Sequence, residues 1–260
     1  MWSKLQQRLI NSEHYYFHTD NGVLLCGDCL EVIELIPRES IDLVLTDPPY
    51  QISKAHNFDT MKDRKNERTG TYFGDWDKFD VTYWRYLIPL INKNGSILTF
   101  MSFEQYKDFC LILEQHDFVI KDRLIWEKTN PFPRNRDRRY IPNIELIVWV
   151  TRKKAKWVFN RQNPKYETCV LRFPSESGVR FKRFHPTQKP FALIEYLLKI
   201  HSNSDDLILD PFIGSGTTAV ACEKLNRKWI GIEINEKYCE MIKKRVKNEN
   251  IKLKKINSFF

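Results

Sequence analysis

A chain of 260 residues, 42% hydrophobic and 29% charged, can bury a substantial core and lacks the composition of a disordered protein. Apolar runs such as Leu146–Val150 are far too short to span a bilayer, and no signal-peptide core follows Met1–Asn11, so a cytoplasmic protein with reduced thiols is expected. The net charge of +9 is concentrated: Pro131–Phe184 holds 14 Lys/Arg against 4 Asp/Glu, which fits either a polyanion-binding surface or a solubilising face.

In chain order, Val23–Cys26 reads as a strand and Cys29–Ile36 as the start of a helix. Cys26 and Cys29 form a CxxC preceded by His14 and His18, but no second pair has metal-ligand spacing, so packing thiols and no metal are expected. Ile41–Asp47 is an almost continuous apolar run ending at Pro48, as suits a parallel strand covered on both faces. The polar stretch Gln51–Gly74 reads as a loop, Phe79–Ile91 as a helix closed by Asn94-Gly95, and Ser96–Phe100 as a strand. Phe103–Gln115 is then a helix, with Phe118–Trp126 and Ile144–Val150 as strands. Next comes a βαβ unit: strand Asp206–Asp210, a glycine turn, a helix to Leu225, and strand Lys228–Glu233. A basic amphipathic helix follows from Asn235 to about Lys247, and the tail from Ile251 is expected to fray. Strands alternating with helices predict an α/β doubly wound sheet.

Two turns carry chemistry. Asp210 ends its strand, and Phe212-Ile-Gly214-Ser215-Gly216-Thr217 opens the next helix, where glycines let backbone approach a ligand and the helix start offers free N–H groups. Glu233, 19 residues after Gly214, ends the following strand in position to grip ribose hydroxyls. An acid at the first strand end favours a ligand with a cationic amino-acid part over a pyrophosphate, and S-adenosylmethionine fits that description. The second turn is Asp47-Pro48-Pro49-Tyr50. An amino group conjugated to a base ring is a poor nucleophile because its lone pair is delocalised. The Asp47 carboxylate and Pro48 carbonyl supply two acceptors for its N–H bonds, the paired prolines stiffen them, and Tyr50 offers a face for an extruded base.

Together the two turns resemble those of the beta group of DNA amino-methyltransferases, in which the catalytic motif precedes the cofactor motif; the resemblance runs from Leu25 to about Val246. It implies a mostly parallel seven-stranded sheet of the S-adenosylmethionine-dependent methyltransferase type, in circularly permuted motif order. By the same resemblance Phe212–Thr217 is the cofactor loop, Asp28 contacts the cofactor's adenine, Glu233 the ribose, and Thr187 and Lys189 lie near its methionine part. It implies N6 methylation of a flipped adenine in double-stranded DNA, as in restriction–modification systems, since Asp rather than Ser begins the catalytic motif. N4-cytosine methylation is the alternative. A cysteine-nucleophile mechanism is disfavoured because no Pro-Cys pair exists.

Residues 1–130 are expected to form the catalytic half, 131–184 a target-recognition insertion, 185–250 the cofactor half, and 251–260 a tail. Arg134, Arg136, Arg138 and Arg139 are the candidate DNA contacts, able to hold phosphates or read guanine edges. A homodimer and a cognate restriction endonuclease are the further expected partners. An RNA or protein methyltransferase, a nicotinamide oxidoreductase and a non-catalytic DNA-binding protein are the competing readings.

Overall fold

The computed structural model describes residues 2–49, 81–131, 140–176 and 188–257. The strands are β1 (Tyr15–His18), β2 (Gly22–Cys26), β3 (Ile41–Thr46), β4 (Ile91–Met101), β5 (Phe118–Lys128), β6 (Ile144–Arg152), β7 (Val170–Phe173), β8 (Leu207–Asp210) and β9 (Lys228–Glu233). They form one sheet in the order β1-β2-β9-β8-β3-β4-β6-β5-β7. The five strands from β2 to β4 are parallel, and β6 runs antiparallel to both its neighbours. The seven expected strands are those from β2 to β5; a short strand is added at each edge, β1 antiparallel to β2 and β7 parallel to β5.

Helices cover both faces. On one side lie α1 (Trp2–Ile10), α2 (Cys29–Val32), α3 (Trp84–Leu87) and α4 (Tyr106–Glu114); on the other lie α5 (Phe191–His201), α6 (Thr217–Leu225) and α7 (Glu236–Asn257). The strand alternation sorts side chains between the layers. Val44 packs under the first group with Trp84 and Phe109, while Leu43 and Leu45 pack under the second with Leu197 and Ala219. Central strands are therefore apolar on both faces, and each fully buried large side chain contributes about 1.5–3 kcal/mol relative to exposure.

Several elements differ from the sequence expectation. The helix expected over Phe79–Ile91 is, in its described part, one α-turn between two 3-10 turns, Val81–Tyr83 and Ile88–Leu90, with Pro89 in the second. Strand β4 begins at Ile91, and Asn94-Gly95 lies within it. The pairing with β3 jumps from Ile41↔Ile91 to Leu43↔Ser96, so residues 92–95 bulge out, with Asn92 Nδ2 donating to Asp42 Oδ1 at 2.5 Å. The last helix continues to Asn257 instead of fraying from Ile251, since the stretch contains neither Gly nor Pro. Strand β6 falls inside 131–184 yet sits between β4 and β5, so that segment encloses a core strand. Among the described residues no helix is long and apolar enough to cross a membrane.

Candidate active site

Strand order reverses direction between β8 and β3: β9 follows β8 on one side, and β4 follows β3 on the other. At such a switch point the loops leaving the carboxyl ends diverge and open a crevice. A cavity of about 210 Å³ lies there, lined among others by Asp28, Asp47, Pro49, Lys189, Asp210 and Glu233, and by Phe212–Ser215 and Thr217 of the glycine turn. Asp47 and Gly214 thus line one cavity despite their distance in the chain. Direct pairing of β3 with β8 (Val44↔Leu209) brings them together, and Thr46 Oγ1 donates to Asp210 Oδ1 at 2.9 Å.

The glycine turn is shaped by two left-handed residues, Gly214 at φ 50° and Gly216 at φ 76°. A Cβ on Gly216 would stand 2.9 Å from Ile242 Cγ2 of α7, so both the backbone angle and the packing demand glycine. Helix α6 begins at Thr217 with no side-chain cap, which leaves its leading N–H groups for a ligand. Glu233 organises the turn: its carboxylate accepts from the N–H groups of Gly214 (3.0 Å) and Asn235 (2.9 Å). Burial nevertheless pushes its pKa up to about 7. Asp210 accepts from Thr218 Oγ1 at 2.7 Å as well as from Thr46 and the Phe212 N–H, and burial raises it to about 6. Among the described residues neither acid is in an ion pair. Both are poised to gain from a ligand that brings hydroxyl donors or positive charge.

Asp28 caps α2 by accepting from the Leu30 N–H at 2.9 Å, and it also lines the cavity. Register places it beside Glu233: Cys26 pairs with Glu233, and the Gly27 N–H donates to the Glu233 carbonyl at 3.1 Å. Ser215 and Thr217 are buried with their hydroxyls 3.0 Å apart. The CxxC thiols are free; Cys29 is buried and its thiol is pushed up to about 12, chiefly by that burial. Among the described residues no group of three His, Cys, Asp or Glu is arranged to hold a metal.

At the Asp47–Pro49 turn Pro48 is buried, and the Pro49 carbonyl accepts from Gln105 Nε2 at 3.4 Å. Lys189, expected near a cofactor's methionine part, lines the cavity but is ion-paired with Asp47 through Oδ2. Its ammonium also stands 3.2 Å from Glu145 Oε2 and 4.8 Å from the centre of the Phe100 ring. Burial works to lower the Lys189 pKa, but Asp47 and Glu145 raise it overall, so the side chain stays charged. Sequence reasoning missed Glu145; its signal was a lone acid at the start of an otherwise apolar strand. Tyr50, Thr187, Arg134, Arg136, Arg138 and Arg139 lie outside the described residues.

A doubly wound sheet that brings a glycine turn, an acid at the end of the next strand and an Asp-Pro-Pro turn to one switch-point cavity is a nucleotide-type site. The DNA methylase family matches residues 41–244, and the chain belongs to it. It is 32% identical over 252 residues to the type II methyltransferase M2.LlaDCHI of Lactococcus lactis subsp. cremoris, covering 89% of this chain and 91% of that one. It is 33% identical over 251 residues to M.HinfI of Haemophilus influenzae, covering 87% and 68% of the two chains. Among solved structures, the M1.HpyAVI–SAM complex is 36% identical with a TM-score of 0.68, covering 86% of this chain and 98% of that one. The cytosine-N4-specific PvuII DNA methyltransferase, 22% identical with a TM-score of 0.71 over 90% of this chain and 89% of that one, shares the fold. The resemblance read from the two turns, and the fold it implies, are borne out.

Proposed function

We propose that this DNA methylase transfers the methyl group of S-adenosylmethionine to N6 of a flipped adenine in double-stranded DNA. The observation that carries the reading is the shared cavity of Asp47 and the glycine turn at one sheet edge. The residues present suit the cofactor: a part-buried and a buried carboxylate of raised pKa, Glu233 and Asp210, match ribose hydroxyls and a cationic amino acid, and α6 presents its N-terminus. Bound there, S-adenosylmethionine supplies a methyl already activated by a sulfonium, so no covalent enzyme intermediate is required.

The chain's own part is alignment. Asp47 and the Pro48 carbonyl accept from the two N–H bonds of the target amine, which localises its lone pair. When bound, S-adenosylmethionine would supply the methyl and keep the C–S bonding pair as its thioether, and the proton given up by the methylated nitrogen would pass to water. Asp28 serves the cofactor's adenine, Glu233 the ribose, and Asp210 the amino-acid part. Tyr50 stacks the extruded base. The basic flanks of β6, including Arg134, Arg136, Arg138 and Arg139, hold the duplex; β6 itself belongs to the sheet. The same reading places the enzyme in the cytoplasm, as a homodimer serving beside a cognate restriction endonuclease. Aspartate at the head of the catalytic motif favours adenine. Methylation of plasmid DNA followed by mapping of modified bases tests this: N6-methyladenine in one short sequence context is expected. N4-methylcytosine overturns the choice of base, and label entering only RNA or protein overturns the substrate.

A further inference from the structure

Lys128, Glu145, Lys189 and Asp47 form an alternating chain of charges at the carboxyl edge of the sheet. Lys128 Nζ lies 2.7 Å from Glu145 Oε1, and Lys189 Nζ lies 3.2 Å from Glu145 Oε2 and pairs with Asp47 Oδ2. Topology explains how four residues so far apart in the chain meet. Lys128 is the last residue of β5, Glu145 the second of β6, Asp47 follows β3, and Lys189 precedes α5. Because β6 runs antiparallel to β4, its first residues lie at the edge where β3, β4 and β5 end. A carboxylate with one oxygen beside each of two ammonium groups is held between them by charge, although Oε2 makes no hydrogen bond of normal geometry. Glu145 carries that constraint: burial works to raise its pKa, yet Lys189 and Lys128 hold it below the ordinary carboxylate range. Lys189 is itself confined between two carboxylates and the Phe100 ring and is only 8% exposed.

We infer that Glu145 is a positioning residue for methyl transfer: it anchors Lys189, which in turn sets the rotation of Asp47. The inference rests on the proposed role of Asp47 and extends it to a side chain that does not line the cavity. Without the Glu145 charge, Lys189 loses one of the two carboxylates that hold it in place. The ammonium is then free to shift, and the Asp47 carboxylate paired with it turns away from the angle at which it accepts from the amine. Lys128 braces the far side of Glu145 and acts one step more remotely.

The test is single-turnover methylation by the full chain at saturating cofactor and DNA. Glu145→Gln is expected to slow the transfer step by on the order of tenfold to a hundredfold, as misplacement of a reacting group does. The Kd for S-adenosylmethionine, read by calorimetry, and that for DNA stay at the wild-type value. Lys128→Gln gives a smaller loss in the same direction and costs nothing further once Glu145 is already Gln. In a Lys189→Met background, Glu145→Gln likewise loses most of its effect. A Glu145→Gln enzyme that transfers methyl at full rate, or one whose loss adds independently to that of Lys128→Gln, overturns the inference. Weakened cofactor binding in step with the lost rate overturns it too, since that marks general damage. Wild-type protein without methyltransferase activity overturns the reading of Asp47 together with this one, whereas active wild type with unimpaired Glu145→Gln overturns this one alone.

Discussion

At the ends of β8 and β9, Asp210 and Glu233 are held by hydroxyl and backbone N–H donors, whereas beside the end of β3 Asp47 shares a lysine with Glu145 of β6. The two halves of one crevice thus treat negative charge in opposite ways. In the cofactor half, burial drives both acids upward, to about 6 and about 7. In the reaction half, each acid has a cation within the fold. On the proposed reading the difference follows the ligands: a sulfonium amino acid at Asp210 brings its own positive charge, while a neutral base amine at Asp47 brings none. A carboxylate that meets a cationic ligand, as proposed for Asp210, needs no counter-charge of its own, whereas an acceptor beside a neutral guest, as proposed for Asp47, has one within the fold.

The largest expected effect comes from the reaction half. Asp47→Ala should slow methyl transfer by on the order of a hundred- to a thousandfold, the scale for loss of one preorganised polar partner, while S-adenosylmethionine still binds by calorimetry. If cofactor binding vanished as well, the division between the halves would be wrong. Next is the shape of the cofactor turn. Gly216→Val forces a side chain into left-handed backbone at φ 76° and against Ile242; the backbone alone costs about 1–2 kcal/mol. Both thermal stability and cofactor affinity should fall, and a variant that binds cofactor as wild type would show the turn to be incidental.

Asp210→Asn keeps the shape but removes the charge. It should weaken S-adenosylmethionine by about tenfold, the scale of one charge-assisted hydrogen bond. An analogue lacking the amino group should feel the change far less, and equal losses would detach Asp210 from the cationic part. The smallest effect is in pH. With its pKa near 7, Glu233 is largely protonated at pH 6, and ribose hydroxyls donate to its ionised form. Cofactor affinity should therefore improve by about five- to tenfold from pH 6 to 7.5, with proton release on binding. Glu233→Gln should remove most of that dependence and leave the roughly twofold part due to Asp210, and calorimetry in buffers of different ionisation enthalpy measures the proton directly.

A site away from the crevice offers a control. His201 packs 4.6 Å from the Trp149 ring, and burial lowers its pKa to about 3. The unfolded chain then binds more protons than the folded one between pH 6.5 and 3. Stability should fall as pH drops through that window and level off above it. His201→Phe should remove this component in thermal melts without altering the pH profile of cofactor binding.

Strands β3, β8 and β9 were legible as apolar runs because burial on both faces removes polar alternation from a parallel strand. Gly214, Gly216 and Glu233 were legible for a local reason: a turn and the acid 19 residues later belong to one βαβ unit. What only the tertiary structure decided was which strands became neighbours. Insertion of β6 between β4 and β5 turned part of an expected recognition segment into core and brought Glu145 to the reaction edge. Lys189 and Asp47 are 142 positions apart, and no local pattern encodes their pairing; it exists because β8 docks beside β3 and α5 enters at that edge. Local sequence dictates elements and turns through backbone sterics and hydrophobic period, whereas long-range charge partners arise only when strand order sets which ends meet.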